Sequence, residues 1–118
     1  MKPEYKKLLL KDLCERLSYG VKIFHRGSVE EIQEITPTGE FKNYNYNAWF
    51  SIDTCKPYLR PMSSMTKEEN EKAESFANEK EMDYWGLIDF YNSIHIDYRG
   101  LIPKGLALEA PEGMYECL

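Results

Sequence analysis

Apolar residues near the start of the chain recur every three or four positions, the spacing of one face of an α-helix. The stripe consists of Tyr5, Leu8, Leu9, Leu13 and Leu17. Pro3 suits a first helical turn, and Gly20 can adopt the left-handed conformation that often ends a helix. The pattern predicts a helix over 3–17.

The pattern then changes to short β-branched and aromatic runs between turn signals. Residues 21–25 predict a strand, and a tight turn leads into a second strand at 29–35. Apolar residues three apart in that second run also fit a helix, but its shortness between two turn signals favours a strand. Over 41–52 apolar and polar residues alternate, which predicts a strand whose asparagines mark a hairpin or a bulge.

The stretch KPYLRPMSSMTKEE at 56–69 separates this first half from a helical second half. Pro57 and Pro61 fix their own φ angles and bias the preceding residues toward extended backbone. The stretch is therefore predicted to be an extended connector or an edge strand. Thr66 and Glu69 have the spacing of a capping box, which predicts that a helix starts there.

Two helices are predicted after this connector. The first, over 66–80, has few apolar residues and is expected to lie largely in solvent. The second, over 84–94, has Asp83 as its N-cap and an apolar stripe that includes Tyr84 and Leu87, widened by Trp85. Glycines and prolines divide the remaining tail and leave room for one short strand at 106–108.

This order of elements predicts an α+β fold with an N-terminal helix, a small antiparallel sheet, two C-terminal helices and a turn-rich tail. Two arrangements of the sheet fit the pattern: a curled, SH3-like barrel, or an open sheet covered by helices. At 118 residues the chain is predicted to be a single domain, with the helix and sheet in 1–65 and the helical extension and tail in 66–118.

Charge is distributed unevenly along the chain, whose formal net charge is −5. Residues 1–27 carry seven basic and three acidic side chains, whereas residues 61–97 carry three basic and nine acidic ones. This acidic balance disfavours extensive nucleic-acid binding but leaves room for a local basic patch.

The cysteines and the N-terminal apolar run indicate the compartment. Cys14, Cys55 and Cys117 are odd in number and form no paired motif. The run Leu8-Leu9-Leu10 is too short for a signal peptide or a membrane span. We therefore expect a cytoplasmic protein with reduced thiols and no membrane association.

Three strings of the chain are distinctive: LLLKDLCERLSYGVK at 8–22, KPYLRPMSSMTKEE at 56–69 and DYRGLIPKGLALEAPEGMY at 97–115. Together they cover somewhat under half of the sequence. They resemble a group of short uncharacterised proteins encoded by phages and integrated elements of gut anaerobic bacteria. The resemblance implies a small cytoplasmic protein of mobile-element origin, and it supplies no functional residues because no activity is assigned to that group.

Residues typical of catalytic or metal sites are few and scattered. The two histidines, His25 and His95, and the three cysteines lack the paired spacing of a zinc site. Ser63 and Ser64 have no nucleophile motif around them, and no glycine-rich phosphate loop occurs. We therefore predict no catalytic, metal or cofactor site, and a protein that is not an enzyme.

The high aromatic content, 14% of the chain, points to binding instead. Our first hypothesis is a non-catalytic protein-interaction or self-assembling module that contacts a protein partner or a second copy. The proposed contacts are Tyr58, Arg60, Tyr98 and Arg99, because tyrosine and arginine are frequent at interface centres. A structural interpretation of Arg99 stays open, in which it pairs with Asp97 and fixes the helix end.

The alternative hypothesis is a small nucleic-acid-binding protein. The basic N-terminal segment would contact phosphates, and tyrosines of the predicted strand over 41–52 would serve as stacking platforms. The residues concerned are Lys6, Lys7, Lys11, Lys22, Arg26, Tyr44 and Tyr46.

Overall fold

A computed structural model describes residues 1–44, 47–77 and 82–115. Its helices are α1 (Pro3–Arg16), α2 (Lys67–Ala77) and α3 (Tyr84–Ser93). Its strands are β1 (Lys22–His25), β2 (Ser28–Ile35), β3 (Glu40–Asn43), β4 (Phe50–Ser51), β5 (Cys55–Leu59) and β6 (Leu108–Glu109). The α+β class is confirmed.

The six strands form one sheet in the order β4-β3-β2-β1-β5-β6. Neighbouring strands are antiparallel, except that β6 runs parallel to β5. The sheet is therefore mixed rather than purely antiparallel, and it is open rather than closed into a barrel. Parallel pairing requires a long crossover connection, and the segment that carries α2 and α3 provides it.

The β1–β2 hairpin turns at Arg26 and Gly27, whose φ angles are 52° and 82°. Two successive positive φ angles give a turn whose twist matches the twist of the strands it joins. Along β2, Glu30 and Ile32 are buried between exposed neighbours. This alternation confirms a strand here and excludes the competing helix.

The predicted strand over 41–52 is divided into β3 and β4. The two strands pair as a hairpin, with Phe41 opposite Phe50. Of the two alternatives for the asparagine-rich stretch, a hairpin or a bulge, the hairpin is therefore correct. Asn45 and Tyr46 of this stretch lie outside the described residues. A 3₁₀ turn, Ile52–Thr54, then leads into β5.

The first part of the proline-containing connector lies in β5, and β5 is not the edge strand that one prediction proposed. β1 pairs with it along 55–57 and β6 along 58–59. Pro57 has no N–H to donate, but pairing with β6 begins only at the next residue, so this proline removes no bond to β6. The edge prediction is wrong because β6, distant in the chain, adds beyond β5.

Helix α1 covers the inner face of the sheet. Leu9 and Leu13 are fully buried and share one hydrophobic core with Ile23, Ile32 and Phe41 from three strands. Gly20, with a φ of 73°, ends the 3₁₀ turn that follows α1. The predicted helix and its glycine end are both confirmed.

Helices α2 and α3 pack against each other through Phe76 and Phe90, whose ring centroids are 6.0 Å apart. The capping box at the start of α2 forms: Thr66 N–H donates to Glu69 at 2.8 Å, and Glu69 N–H donates to the Thr66 hydroxyl at 3.1 Å. No helix among the described residues is long and apolar enough to cross a membrane.

Candidate functional site

Most of the large apolar side chains that stay exposed in the described residues, apart from Met1 and Met62, lie at two places. Phe24, Val29, Tyr44 and Trp49 lie at one end of the sheet and are called the sheet-end surface below. Met82, Tyr84 and Trp85 lie at the start of α3 and are called the helix surface. Exposed apolar clusters of this kind often mark binding sites, so both are candidates.

The helix surface is built on the N-terminus of α3. The Asp83 side chain accepts a hydrogen bond from Gly86 N–H at 2.9 Å and caps the helix. A Cβ on residue 86 would collide with that carboxylate, so glycine is required here. Trp85 lies between these two residues and remains 78% exposed. The sequence predicts that both Trp85 and Phe90 widen the apolar stripe of this helix, but packing against α2 buries Phe90 and leaves Trp85 exposed.

A groove of about 230 Å³ lies beside Trp85, between α3 and α1. Its α3 wall consists of Trp85, Ile88, Asp89 and Asn92, and Glu15 of α1 faces them. The spacing of the α3 residues places them on one side of the helix. The groove therefore combines an apolar floor with two carboxylates.

Glu15 belongs to a cluster of paired charges beneath the groove. Asp12 accepts hydrogen bonds from Arg16 and Arg99, both at 2.8 Å. Arg99 also donates to Glu15, as does the Tyr98 hydroxyl at 3.0 Å. Burial alone would raise the pKa of Glu15, but these donors lower it below its usual value. Glu15 is therefore ionised at neutral pH, and the Arg99 guanidinium balances its charge.

The four residues predicted to contact a partner lie in two pairs with intramolecular partners. Tyr98 and Arg99 face α1 as just described, with the Arg99 guanidinium 4.7 Å from the Tyr98 ring. Arg99 pairs with Asp12 and Glu15, whereas the interpretation from the sequence had named Asp97 as its partner. Asp97 instead accepts from the backbone N–H of two residues of the following turn.

The other pair, Tyr58 and Arg60, lies at the end of β5. Arg60 donates to Glu69 at 2.7 and 2.9 Å, and this bond is the main reason why the pKa of Glu69 falls to about 2. The Tyr58 carbonyl accepts from the Tyr115 hydroxyl at 2.7 Å. Arg60 and Tyr115 line a cleft of about 640 Å³ between the strings at 56–69 and 97–115.

The sheet-end surface lies over a buried polar cluster centred on Glu30. His25 Nδ1 is 3.0 Å from Glu30 Oε2, and the Ser28 hydroxyl donates to Oε1 at 3.0 Å. Asn43 also donates to Glu30. The His25 ring packs between Phe41 and Phe50, with centroid distances of 5.0 and 4.6 Å. This cluster joins β1, β2 and β3 at the end of the sheet where the β1–β2 turn lies.

The residues predicted to bind nucleic acid are not all in one place. Arg26 and Tyr44 lie at the sheet end, and Tyr46 is outside the described residues. Lys7 and Lys11 are exposed on α1, on the other side of the sheet. The remaining two have intramolecular contacts: Lys6 pairs with Asp53 at 4.0 Å, and Lys22 donates to a backbone carbonyl at 3.3 Å.

Sequence reasoning missed Trp49 and Trp85 as site residues. The composition shows two tryptophans but not whether they are exposed, because the burial of a tryptophan depends on contacts with distant segments. A signal did exist for Trp85, since it lies in the first turn of a helix, two residues after the N-cap and beside a glycine, where a helix has little neighbouring structure to cover it.

Within 1–44, 47–77 and 82–115, no three His, Cys, Asp or Glu side chains are arranged to hold a metal ion. His95 stacks on Tyr115 with a centroid distance of 3.7 Å, and burial is the main cause that lowers its pKa to about 4. No family model, curated protein or solved structure matches the chain. Function therefore has to be inferred from the two exposed surfaces.

Proposed function

We propose that this protein is a non-catalytic protein-interaction or self-assembling module and that the helix surface is its contact face. The observation that carries the proposal is Trp85, an aromatic side chain left 78% exposed beside a groove. Tryptophan is enriched among the residues that dominate interface energies, especially where a neighbouring pocket can be desolvated. Tyr84 and Met82 extend the apolar area around it.

The charge of this region favours a basic partner. Glu15 and Asp89 border the groove, and residues 61–97 carry six more acidic than basic side chains. We infer a partner segment that inserts an apolar side chain beside Trp85 and places lysine or arginine at the rim. A second copy also fits, because the exposed side of α1 carries Lys7 and Lys11.

The biological setting is part of the same proposal. The resemblance to small mobile-element proteins favours an adaptor that acts on a host or phage protein in the cytoplasm. No step of this role requires a reacting group, a metal or a cofactor.

The test combines light scattering with fluorescence on the full chain. Light scattering after size exclusion, over a range of concentrations, detects a second copy as the occupant. An amphipathic peptide of leucine and lysine serves as the basic probe, and a leucine–glutamate peptide of the same length is its control. Trp49→Phe leaves Trp85 as the one tryptophan that reports binding.

We expect self-association or binding of the leucine–lysine peptide, with a blue shift of Trp85 emission, and weak or no binding of the acidic peptide. Trp85→Ala should weaken the contact about tenfold or more, which corresponds to about 1.4 kcal/mol. Trp49→Ala is the matched control and should leave it unchanged. A monomer at every concentration whose Trp85 emission ignores the basic peptide would contradict the proposal.

A further inference from the structure

Three side chains form a row across the outer face of the sheet near its turn end. Phe24 of β1 is paired with Val29 of β2 on one side and with Lys56 of β5 on the other. All three are exposed, and Phe24 is 41% exposed although it stands on the central one of these three strands. An exposed aromatic ring beside an exposed lysine suits a nucleic-acid base and its phosphate.

The turns beside this row add a second cation and two more aromatic rings. Arg26 is exposed at the hairpin turn, and its guanidinium lies 5.6 Å from the Phe50 ring. Tyr44 follows β3 directly and Trp49 precedes β4, so both lie at the same end of the sheet. They are 65% and 47% exposed.

We propose that the sheet-end surface binds single-stranded nucleic acid, a second activity that does not depend on the helix surface. Phe24, Tyr44 and Trp49 provide stacking positions for unpaired bases, while Arg26 and Lys56 contact the phosphates. Duplexes fit poorly, because their bases are already stacked and the acidic helices repel the second strand.

The buried Glu30 cluster fixes the geometry of this surface. His25 and Asn43 both bond to Glu30, and the residues that follow them directly are Arg26 and Tyr44. Arg26 and Tyr44 are therefore attached to backbone that the Glu30 cluster holds in place. Less conformational entropy is then lost when they bind a ligand. Glu30 itself is 4% exposed, so a ligand on this surface would not contact it directly.

One exposed carboxylate near this row is Glu31, which stands opposite Lys22 in the register of β1 and β2. The lysines of α1 chosen from the sequence lie on the inner side of the sheet, away from the row of Phe24. The sheet-end surface, which combines cations with aromatic rings, is therefore not the basic N-terminal segment that the sequence pointed to.

Fluorescence anisotropy tests the proposal with two labelled probes, an oligothymidine and an oligouridine of about 15 nucleotides, a length within the usual footprint of small single-strand binders. The full chain is titrated at low salt and again at higher salt. Trp85→Phe leaves Trp49 as the one tryptophan, so that its quenching reports base stacking at the sheet end.

We expect saturable binding that weakens with salt and quenches Trp49. Lys56→Glu and Phe24→Ala should each weaken it about tenfold, in keeping with the loss of a phosphate or a stacking contact. Lys7→Glu is the matched control, with the same charge change on α1, and should change affinity less than about twofold. Circular dichroism spectra of each variant serve as the control for correct folding.

Three results would overturn the proposal: no binding of either probe at low salt, equal weakening by Lys7→Glu and Lys56→Glu, or equal affinity for a duplex of the same length. Trp85→Ala separates this proposal from the protein-interaction role. That variant should keep full nucleic-acid affinity, so either activity can fail without the other.

Discussion

The sheet-end surface and the helix surface expose the same kinds of side chain in opposite electrostatic settings. Arg26 and Lys56 border the first, whereas Glu15 and Asp89 border the second. Aromatic content alone therefore does not decide what a surface binds. In our two proposals, the charges around the rings select a polyanion in one region and a basic partner in the other.

The two regions also differ in how they are held in place. Under the sheet end, Glu30 bonds to residues no more than 13 positions away. Under the helix surface, Asp12 and Glu15 bond to Arg99, more than 80 positions away. One region is stabilised by contacts within a few strands, and the other depends on closure of the whole chain. Mutations should therefore separate them.

The largest effect should come from Leu13→Asp, which affects both regions together. Leu13 is fully buried between α1 and the sheet, so an unpaired carboxylate would replace a core contact. We expect a loss of at least about 3 kcal/mol of unfolding free energy and an unfolded or molten protein. Circular dichroism melts measure this loss, with exposed Lys11→Asp as the control. A melt that matches wild type would show that this face of α1 is not part of the core.

Asp12→Ala should cause the next largest loss of stability, and this loss should be greater around the helix surface than around the sheet-end surface. Asp12 and Arg16 are both fully buried, and without the carboxylate the arginine is left with an uncompensated charge. Breaking such a pair costs about 3–5 kcal/mol. Urea unfolding is followed by Trp85 in a Trp49→Phe background and by Trp49 in a Trp85→Phe background.

We expect the Trp85 transition of Asp12→Ala to shift to lower urea concentration than the Trp49 transition. Glu4→Ala is the control, since Glu4 is an exposed carboxylate on the same helix. If the two tryptophans report one coincident transition in Asp12→Ala, the regions unfold as a single unit and the distinction between them fails.

Local contacts explain what the sequence predicted correctly about the fold. The α1 stripe, the turn at Gly27 and the capping box of Thr66 and Glu69 depend on residues within one or two turns of each other. The parallel pairing of β6 could not be predicted in this way, because its partner β5 lies far away in the chain. The same limit applies to Trp85, whose exposure depends on how α2 covers α3.

The candidate sites were predictable only in part, for the same reason. Arg26 and Tyr44 were named from the sequence and do lie together at the sheet end. The lysines were chosen by summing charge along the N-terminal segment, but position along the chain does not reveal which face of the sheet a residue occupies. Lys56, from a later strand, completes the row instead.

A smaller, pH-dependent effect should come from His95, which directly follows the C-cap of α3. Burial, then the charges of Arg16, Arg60 and Lys22, lower its pKa from 6.5 to about 4. The unfolded chain therefore takes up this proton first as the pH falls. The stabilisation is complete above about pH 6.5 and is lost as the pH falls toward 4.

His95→Asn should remove this part of the acid sensitivity. Asparagine tolerates the positive φ of 62° at this position better than most residues. Urea midpoints measured at pH 7, 5.5 and 4 should fall less steeply in the variant than in wild type. An identical decline in both proteins would show that another group accounts for the acid sensitivity over this range.

The smallest effect concerns the two described cysteines, one in each region. Cys14 is exposed on α1 next to Glu15, whereas Cys55 is buried opposite His25 beneath the sheet end. Burial, with the nearby charges of Asp53 and Glu30, raises the pKa of Cys55 to about 12, so almost no thiolate forms in the folded protein. The pKa of Cys14 is also raised, by burial and by Glu15.

Alkylation with iodoacetamide at pH 8, followed by mass spectrometry in a Cys117→Ser background, measures this difference. We expect Cys14 to react slowly but completely and Cys55 to react only after global unfolding. Asp12→Ala should accelerate the reaction of Cys14 more than that of Cys55, because this variant destabilises the region of the helix surface first. If Cys55 reacts as fast as Cys14 in the folded wild type, the sheet end opens as readily as the helix side. The short-range Glu30 contacts would then give no more protection than the long-range contacts of Arg99.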